Sequence, residues 1–180
     1  MTYQEYKDFL SCDLYHDFGG GKPNWLNRIR IKYFQPNTNC VYLARKMWYL
    51  HSKGKFGKVM SKFLYLRIYH RYGCCIYPSA KVGKGFLIAH PVGIVIGDCT
   101  IGDNFTILQN STIGVKSNQD NFKKTYPRIG NNVMLCCNSA ILGNVTVCDD
   151  VTIGANSLVN SSIYERGVYA GSPAKMLGNK

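Results

Sequence analysis

Aliphatic side chains recur at every sixth position from residue 76 to residue 159, and this period is the feature that most constrains the fold. A helix repeats its apolar positions about every 3.6 residues and a half-buried strand about every 2, so neither explains the period. Short strands wound into a parallel β-solenoid do explain it, because each strand then points one residue inward. The sequence therefore predicts a mainly β fold whose coils bury their apolar residues against their neighbours. The positions in phase are Ile76, Val82 and Ile88, then Val95, Ile101, Ile107 and Ile113, and after a polar interruption Ile129, Leu135, Ile141, Val147, Ile153 and Val159.

The period slips by one residue between Ile88 and Val95, in the segment Ile-Ala-His-Pro-Val-Gly-Ile-Val. An insertion into extended structure bends the chain and re-aims a side chain, and such insertions are over-represented beside active sites. His90 lies inside this segment, and an imidazole can accept a proton near neutral pH. His90 is therefore the first candidate for a functional residue.

Glycine follows the apolar position at several points of the repeat. A tight corner suits a residue that tolerates unusual backbone angles, and glycine is the most tolerant. We therefore expect these glycines to form the corners of the solenoid. They are Gly83, Gly102, Gly114, Gly130 and Gly154.

Before residue 73 the apolar spacing is helical. Residues 41–52 and 56–71 are predicted as two helices with glycines at the bend between them, and residues 1–18 contain a short helix. Residues 1–75 hold 13 Lys and Arg against 4 Asp and Glu, so they carry +9 of the net charge of +12. A basic, aromatic helical hairpin has three interpretations: a solvated face, packing against the rest of the protein, or contact with an anionic membrane surface.

The composition is typical of a folded protein with free thiols. The 180 residues are 46% hydrophobic, and no apolar run approaches the roughly 18 to 20 residues that cross a bilayer. The first thirty residues lack the apolar core of a signal peptide, so we expect a cytoplasmic location, with the inner face of the membrane left open. Eight cysteines without Cys-x-x-Cys spacing predict reduced thiols and no metal site. The basic region has no nucleic-acid recognition motif, and we expect no such partner.

Five segments of the chain resemble the hexapeptide-repeat acyltransferases. They are most similar to the serine acetyltransferase branch and its relatives in capsule and exopolysaccharide clusters. The resemblance implies a left-handed parallel β-helix over residues 73–168, after an N-terminal α-helical region (1–72) and before a tail (169–180). It also implies a homotrimer, with active sites between adjacent subunits, and acetyl-CoA as co-substrate. The segments are residues 101–109 (Ile-Gly-Asp-Asn-Phe-Thr-Ile-Leu-Gln), 111–114 (Ser-Thr-Ile-Gly), 138–145 (Asn-Ser-Ala-Ile-Leu-Gly-Asn-Val), 153–157 (Ile-Gly-Ala-Asn-Ser) and 170–175 (Ala-Gly-Ser-Pro-Ala-Lys).

The resemblance also implies roles for individual residues. In that family the histidine of a segment like the one at His90 is the general base, which takes the proton of a hydroxyl as it attacks the acetyl thioester. Transfer is direct, without an acyl-enzyme. The family binds acetyl-CoA in a groove of small residues, which correspond to Gly114, Cys137 and Ala155, and Lys175 stands where a cation meets the phosphates.

The sequence departs from the serine acetyltransferases around this histidine. Those enzymes pair it with an aspartate fifteen residues earlier, where this chain has Cys75. They also have an aspartate directly before it, where this chain has Ala89, and an Arg-His pair in place of Thr125-Tyr126. A charged amino acid is costly to bury without its partners, so these departures favour a sugar hydroxyl as acceptor.

The leading hypothesis from the sequence is acetyl-CoA-dependent O-acetylation of a sugar in cell-surface polysaccharide biosynthesis. Two alternatives remain: a serine O-acetyltransferase with an altered acceptor pocket, and a non-catalytic β-solenoid scaffold. A sugar would need neutral hydrogen-bonding and stacking groups, and an N-terminal aspartate could orient the base or bind the acceptor. The acceptor-binding candidates are Asp13, Gln109 and Tyr126, with Asp17, Asn110, Asn118 and Gln119 as further members, and Lys123, Lys124 and Arg128 are candidates for a phosphate or charged glycan.

Overall fold

A computed structural model of the chain describes residues 1–14, 24–116 and 125–178, except the side chains of residues 27, 28 and 32. The first part is helical and the remainder winds into a solenoid of short strands. Three of the helices correspond to predicted ones, whereas the helix that begins at Trp25 has no counterpart in the sequence prediction. The helices are α1 (Tyr3–Asp13), α2 (Trp25–Phe34), α3 (Pro36–His51) and α4 (Gly54–Tyr72).

Three sheets form the faces of the solenoid, and within the repeat the strands pair in parallel. Sheet I has the strand order β1-β4-β7-β10-β13, sheet II β11-β8-β5-β2, and sheet III β15-β14-β12-β9-β6-β3. The last pair, β14 and β15, is antiparallel and ends sheet III. The parallel β-solenoid with an N-terminal helical region is therefore confirmed. The strands are β1 (Cys75–Ile76), β2 (Lys81–Val82), β3 (Leu87–Ile88), β4 (Val95–Ile96), β5 (Thr100–Ile101), β6 (Thr106–Ile107), β7 (Thr112–Gly114), β8 (Arg128–Ile129), β9 (Met134–Leu135), β10 (Ala140–Leu142), β11 (Thr146–Val147), β12 (Val151–Ile153), β13 (Leu158–Val159), β14 (Gly167–Ala170) and β15 (Lys175–Gly178).

The register holds one apolar residue of each strand in a continuous buried column. In sheet I, Ile76 aligns with Ile96, Ile96 with Ile113, and Ile113 with Ile141. These four side chains are fully buried. Because each coil contributes so little apolar surface, only the stack as a whole forms a core.

Asparagine and aspartate supply six of the left-handed backbone angles in the described part of the solenoid, and Gly85, Gly93 and Gly143 supply others. Short polar side chains tolerate the left-handed region, which most other residues avoid. The glycines that follow the apolar positions mainly allow close approach between coils: a Cβ on Gly83 would lie 2.3 Å from Oδ1 of Asp103, and one on Gly130 would lie 2.2 Å from Oδ1 of Asp149. The prediction that these glycines supply the corner angles is wrong. The left-handed residues other than glycine are Asn104, Asn110, Asn132, Asn138, Asp150 and Asn156.

A buried ion pair joins the helical region to the first coil. Arg45 of α3 donates to Asp13 at the end of α1, at 2.5 Å from Nε and 3.0 Å from Nη2. Its guanidinium also donates to the backbone carbonyls of Val82, at 2.6 Å, and Gly83. Asp13 in turn accepts from the backbone N–H of Phe86 at 2.8 Å. Both charged side chains are fully buried, so this network fixes two helices to one corner of the solenoid.

The ion pair gives Asp13 a different role from the predicted one. Both carboxylate oxygens already accept hydrogen bonds, from Arg45 and from Phe86, inside the protein. Burial raises the pKa of Asp13, while the guanidinium and the Phe86 N–H oppose that rise. The proposal that Asp13 binds the acceptor does not fit this position. Sequence spacing did not reveal this ion pair, because Arg45 is one of many basic residues in a helical region that is typical of a charged surface.

Replacing Arg45 by alanine would leave the Asp13 carboxylate buried without its partner, and we expect the free energy of unfolding to fall by about 3–5 kcal/mol. Denaturant titration followed by circular dichroism measures this loss. Lys84→Ala is the control, because Lys84 and Asp103 form an exposed pair at 3.9 Å that contributes at most about 1 kcal/mol. Equal small losses in the two variants would contradict the structural role of Arg45.

Candidate active site

The corner that holds His90 is two residues longer than the regular corners of the solenoid. The buried column passes from Ile88 to Ile96, which is in register with Ile113, and then to Ile101. These steps span eight and five residues where the regular repeat has six. Val95, which the periodicity assigns to the column, lies outside it and is half-buried. The single slip in the sequence is thus the sum of a corner lengthened by two residues and a following one shortened by one.

The extra residues form a tight turn that directs His90 outward. The N–H of Val92 donates to the carbonyl of His90 at 2.9 Å, and the N–H of Asn110 on the next coil donates to the carbonyl of Val92 at 2.9 Å. Gly93 completes the turn with φ of +64°, and a Cβ there would lie 2.3 Å from Oδ1 of Asn110. The backbone around His90 is therefore held while its side chain is exposed.

Four predicted site residues share the edge of the solenoid between sheets III and I. Backbone hydrogen bonds stack this edge coil on coil, from Ala89 N–H to Ile107 O at 3.1 Å and from Asn138 N–H to the carbonyl of Gln109 at 3.1 Å. The ladder continues in the same way, from Asn156 N–H to the carbonyl of Cys137 at 3.0 Å. The stacked residues, one per coil, are His90, Gln109, Cys137 and Ala155.

Gly114 lies next to this edge, on the outer face of sheet I. A Cβ at Gly114 would meet nothing closer than 3.9 Å, so the space above its backbone is open. The glycine at the equivalent place on the preceding coil, Gly97, is covered instead. Cε1 of Tyr126 would lie 2.5 Å from a Cβ at Gly97. Burial raises the pKa of Tyr126, and the neighbouring Tyr77 and Asp98 add to the rise. Open space at Gly114 and an aromatic ring beside it suit a bound ligand on this face.

Cys75 occupies the outer face of the first coil, in register with Val95. Its thiol lies 3.0 Å from the hydroxyl of Tyr65 on α4. This hydrogen bond is the main cause that raises the pKa of Tyr65 to about 12. Tyr77 packs edge-on against Tyr65, at 6.4 Å between ring centroids. Where the resemblance leads one to expect a carboxylate, the structure has a thiol hydrogen-bonded to a phenol.

The remaining predicted residues lie apart from His90 or outside the described residues. Lys175 is exposed on β15, opposite Ala170 at the last coil. Arg128 lies on β8 of sheet II, beside a groove of about 670 Å³ that Arg166 and Tyr164 also line. Within the described ranges, no cluster of three or more His, Cys, Asp or Glu could hold a metal ion. The predicted residues outside the described ranges are Asp17, Asn118, Gln119, Lys123 and Lys124.

Sequence reasoning missed the residues that bind the coils together along the edge of His90. Each left-handed asparagine of this edge is followed by a buried serine. Ser111 donates to the carbonyl of Cys136 at 2.8 Å, and Ser139 donates to that of Gly154 at 2.7 Å. The signal was present as an Asn-Ser pair repeated at positions 110, 138 and 156. The first coil has Gly93 and Ile94 there instead, which is where the corner is lengthened.

Comparison with known proteins shows a likeness to transferases built of hexapeptide repeats. The model of the family described as bacterial transferase hexapeptide (six repeats) matches residues 126–161. The serine acetyltransferase of Staphylococcus epidermidis is 42% identical over 106 residues, and that of Staphylococcus aureus is 41% identical over 106 residues. Each of these matches covers 58% of this chain and 49% of the relative. The chain thus spans about half the length of the curated relatives it matches.

Solved structures agree on the fold. The crystal structure of serine acetyltransferase from Neisseria gonorrhoeae aligns over 99% of this chain and 68% of that one, with a TM-score of 0.82 and 26% identity. Serine acetyltransferase from Brucella abortus, in complex with coenzyme A, aligns over 98% of this chain and 69% of that one, with a TM-score of 0.82 and 24% identity. At that identity the second likeness concerns the fold alone. Together the comparisons show that this chain is similar to hexapeptide-repeat transferases and, among them, to serine acetyltransferases.

The same comparisons overturn the predicted acceptor. The relatives are named serine acetyltransferases, and neither a capsule branch nor polysaccharide biosynthesis finds support among them. The prediction of a sugar hydroxyl, with a glycan as partner, is therefore wrong. It gave too much weight to the charges missing at Cys75 and Ala89, since lost charges bear on how strongly an acceptor is held. Membrane contact finds no support either, and among the described helices none is long and apolar enough to span a bilayer.

The lengthened corner predicts a difference between two left-handed glycines. Gly93→Ala and Gly54→Ala both force alanine into a left-handed angle, which costs about 1–2 kcal/mol, but a Cβ at Gly54 has nothing within 4 Å. At Gly93 the new Cβ also collides with Oδ1 of Asn110, so we expect a further loss of about 1 kcal/mol in the free energy of unfolding. Denaturant unfolding of the two variants measures the difference. Equal losses would show that Asn110 does not confine the corner.

Proposed function

We propose that this chain is an acetyl-CoA-dependent serine O-acetyltransferase with an altered acceptor pocket. The observation that carries the proposal is the exposed His90 in a lengthened corner of the solenoid, on the same edge as the small residues expected to line the acetyl-CoA groove. Likeness to serine acetyltransferases in sequence and fold supports the reaction and the acceptor. The resemblance also supports a homotrimer with sites between adjacent subunits.

His90 acts as the general base. Its neutral imidazole takes the proton of the serine hydroxyl as the oxygen attacks the thioester carbonyl of acetyl-CoA. The carbonyl π bond opens to an oxyanion, which fixed N–H donors stabilise. When the carbonyl re-forms, the carbon–sulfur bond breaks and the imidazolium returns its proton to the departing thiolate. O-acetylserine and CoA leave, and no acyl-enzyme forms.

Acetyl-CoA follows the edge on which the small residues are stacked. The open backbone at Gly114 admits the pantetheine arm, because no side chain fills the space within 3.9 Å of a Cβ there. Cys137 and Ala155 continue this track on the following coils. Lys175 is exposed at the last coil and supplies a cation for the phosphates. The thioester then lies at the His90 end and the nucleotide at the far end.

The acceptor pocket lies on the outer face of the first coils, between α4 and Tyr126. Cys75 with Tyr65 forms one side of the pocket, and Tyr126 over Gly97 forms another. None of these groups is a carboxylate. The ammonium of free serine therefore meets no carboxylate from Cys75, and we expect a high KM for serine.

Removal of the imidazole tests the reaction. We expect His90→Ala to lower kcat by about 10²- to 10⁴-fold, the usual contribution of a general base, without changing the melting temperature. The product should be measured as O-acetylserine by mass spectrometry, because eight cysteines would react with a thiol reagent. His70→Ala is the control, since His70 is an exposed histidine near the C-terminal end of α4. Wild-type turnover in His90→Ala would contradict the mechanism, and binding of acetyl-CoA without any transfer by the wild type would favour the scaffold.

A carboxylate at position 75 tests the acceptor pocket. We expect Cys75→Asp to lower the KM for serine by about tenfold, which corresponds to about 1.4 kcal/mol, because the carboxylate attracts the ammonium. Cys75→Asn has nearly the same shape without the charge and should leave the KM within about twofold of the wild-type value. Steady-state kinetics at saturating acetyl-CoA measures both. An equal change in the two variants would mean that charge at position 75 does not govern serine binding.

A further inference from the structure

Two polar groups without partners lie on neighbouring coils at the His90 corner. The Oε1 atom of Gln109 is buried and has no hydrogen-bond partner among the described residues. The imidazole of His90 is exposed, and the described parts of the chain form no hydrogen bond to it. We infer that the Gln109 carboxamide is the positioning group for His90, accepting a hydrogen bond from the ring N–H. The inference deepens the proposed function and rests on it.

The backbone brings the two residues to the same place on the solenoid. Ala89 N–H donates to the carbonyl of Ile107 at 3.1 Å, and Asn110 N–H donates to the carbonyl of Val92 at 2.9 Å. These two bonds lie on either side of His90 on one coil and of Gln109 on the other. Hydrogen-bonded strands lie about 4.8 Å apart, a separation that two side chains on one edge can bridge. For this contact, the exposed imidazole of His90 turns toward the buried Oε1 atom of Gln109.

The chemistry of the two groups is complementary. A buried carbonyl oxygen without a donor costs about 1–3 kcal/mol, so the site gains by supplying one. The thiol of Cys137 on the next coil is not a partner of this oxygen. A neutral imidazole has one N–H donor and one nitrogen acceptor. A bond from the N–H to Gln109 fixes which nitrogen carries the proton and leaves the other free to accept the hydroxyl proton.

Two groups that the sequence offers as partners for the histidine, at positions 13 and 75, are already engaged elsewhere. The carboxylate of Asp13 is buried against Arg45, and the thiol of Cys75 lies 3.0 Å from the Tyr65 hydroxyl. Gln109 therefore supplies the acceptor that neither of them offers. It acts through His90 and does not itself touch the reacting atoms. This role differs from acceptor binding, which the sequence suggested for Gln109.

Two substitutions at position 109 separate these roles. Gln109→Leu keeps the size but removes the acceptor, and we expect kcat to fall by about 10- to 100-fold with the KM values for acetyl-CoA and serine within about twofold. Gln109→Glu keeps an acceptor and should retain most of kcat. Because a carboxylate stabilises the imidazolium, the acid limb of its kcat/KM profile should move to higher pH. Gln35→Leu is the matched control, since Gln35 has a second buried, unpartnered Oε1 at the start of α3, and it should leave both profiles unchanged.

Nitrogen-15 NMR of the imidazole gives a readout that does not depend on turnover. At about pH 8.5 a histidine is mostly neutral, and its two ring nitrogen shifts report the tautomer. We expect one dominant tautomer for His90 in the wild type and in Gln35→Leu, and a mixture in Gln109→Leu, with the signals assigned by their loss in His90→Ala. The same tautomer in wild type and Gln109→Leu would overturn the inference, as would an unchanged kcat or a change confined to the KM for serine. If the wild type transfers no acetyl group, the proposed function fails, while the tautomer still decides the contact.

Discussion

The stacking of each coil on the next is the interaction on which the structure depends. The strands of the repeat are two to four residues long, too short to be stable alone. Register between coils turns single isoleucines into a buried column, and backbone hydrogen bonds satisfy the polar groups beside it. A coil at the end of such a stack needs a cap. Arg45 and Asp13 provide one below the first coil, together with the Trp48 indole, which donates to the carbonyl of Tyr77 at 3.0 Å.

The same stacking explains why a local irregularity can be used for function. Because each coil contacts mainly its neighbours, two extra residues at one corner are absorbed within the coil and by the shorter corner that follows. Ile96 stays in register with both Ile76 and Ile113 despite the insertion. The lengthened corner can therefore project His90 outward without disturbing the core. On the coils above, Asn-Ser pairs hold the edge, so the groups stacked over the histidine lie on a rigid support.

The six-residue period predicted the solenoid correctly. Contacts between residues distant in sequence could not be predicted from it. The solenoid and the irregular corner at His90 follow from spacing alone. Periodicity could not distinguish Val95 from Ile96, because both are β-branched and a compensating shortening follows. The burial of Arg45 could not be predicted from its basic surroundings, since it depends on an ion pair with Asp13, thirty-two positions earlier. The hydrogen bond between Cys75 and Tyr65 could not be predicted either, because it depends on how a helix packs against the first strand.

The positions of these groups separate the reaction from the choice of acceptor. The proposed base and the proposed acetyl-CoA track belong to one edge of the solenoid, where backbone stacking sets the geometry. The proposed acceptor pocket lies where α4 packs against the first coil, so its chemistry depends on side chains such as Tyr65 and Cys75. A substitution there changes which groups meet the acceptor without altering the coil register or the position of His90. Departures at Cys75 and Ala89 are therefore compatible with an intact acetyl-transfer edge, and they bear on the affinity for serine more directly than on the reaction class.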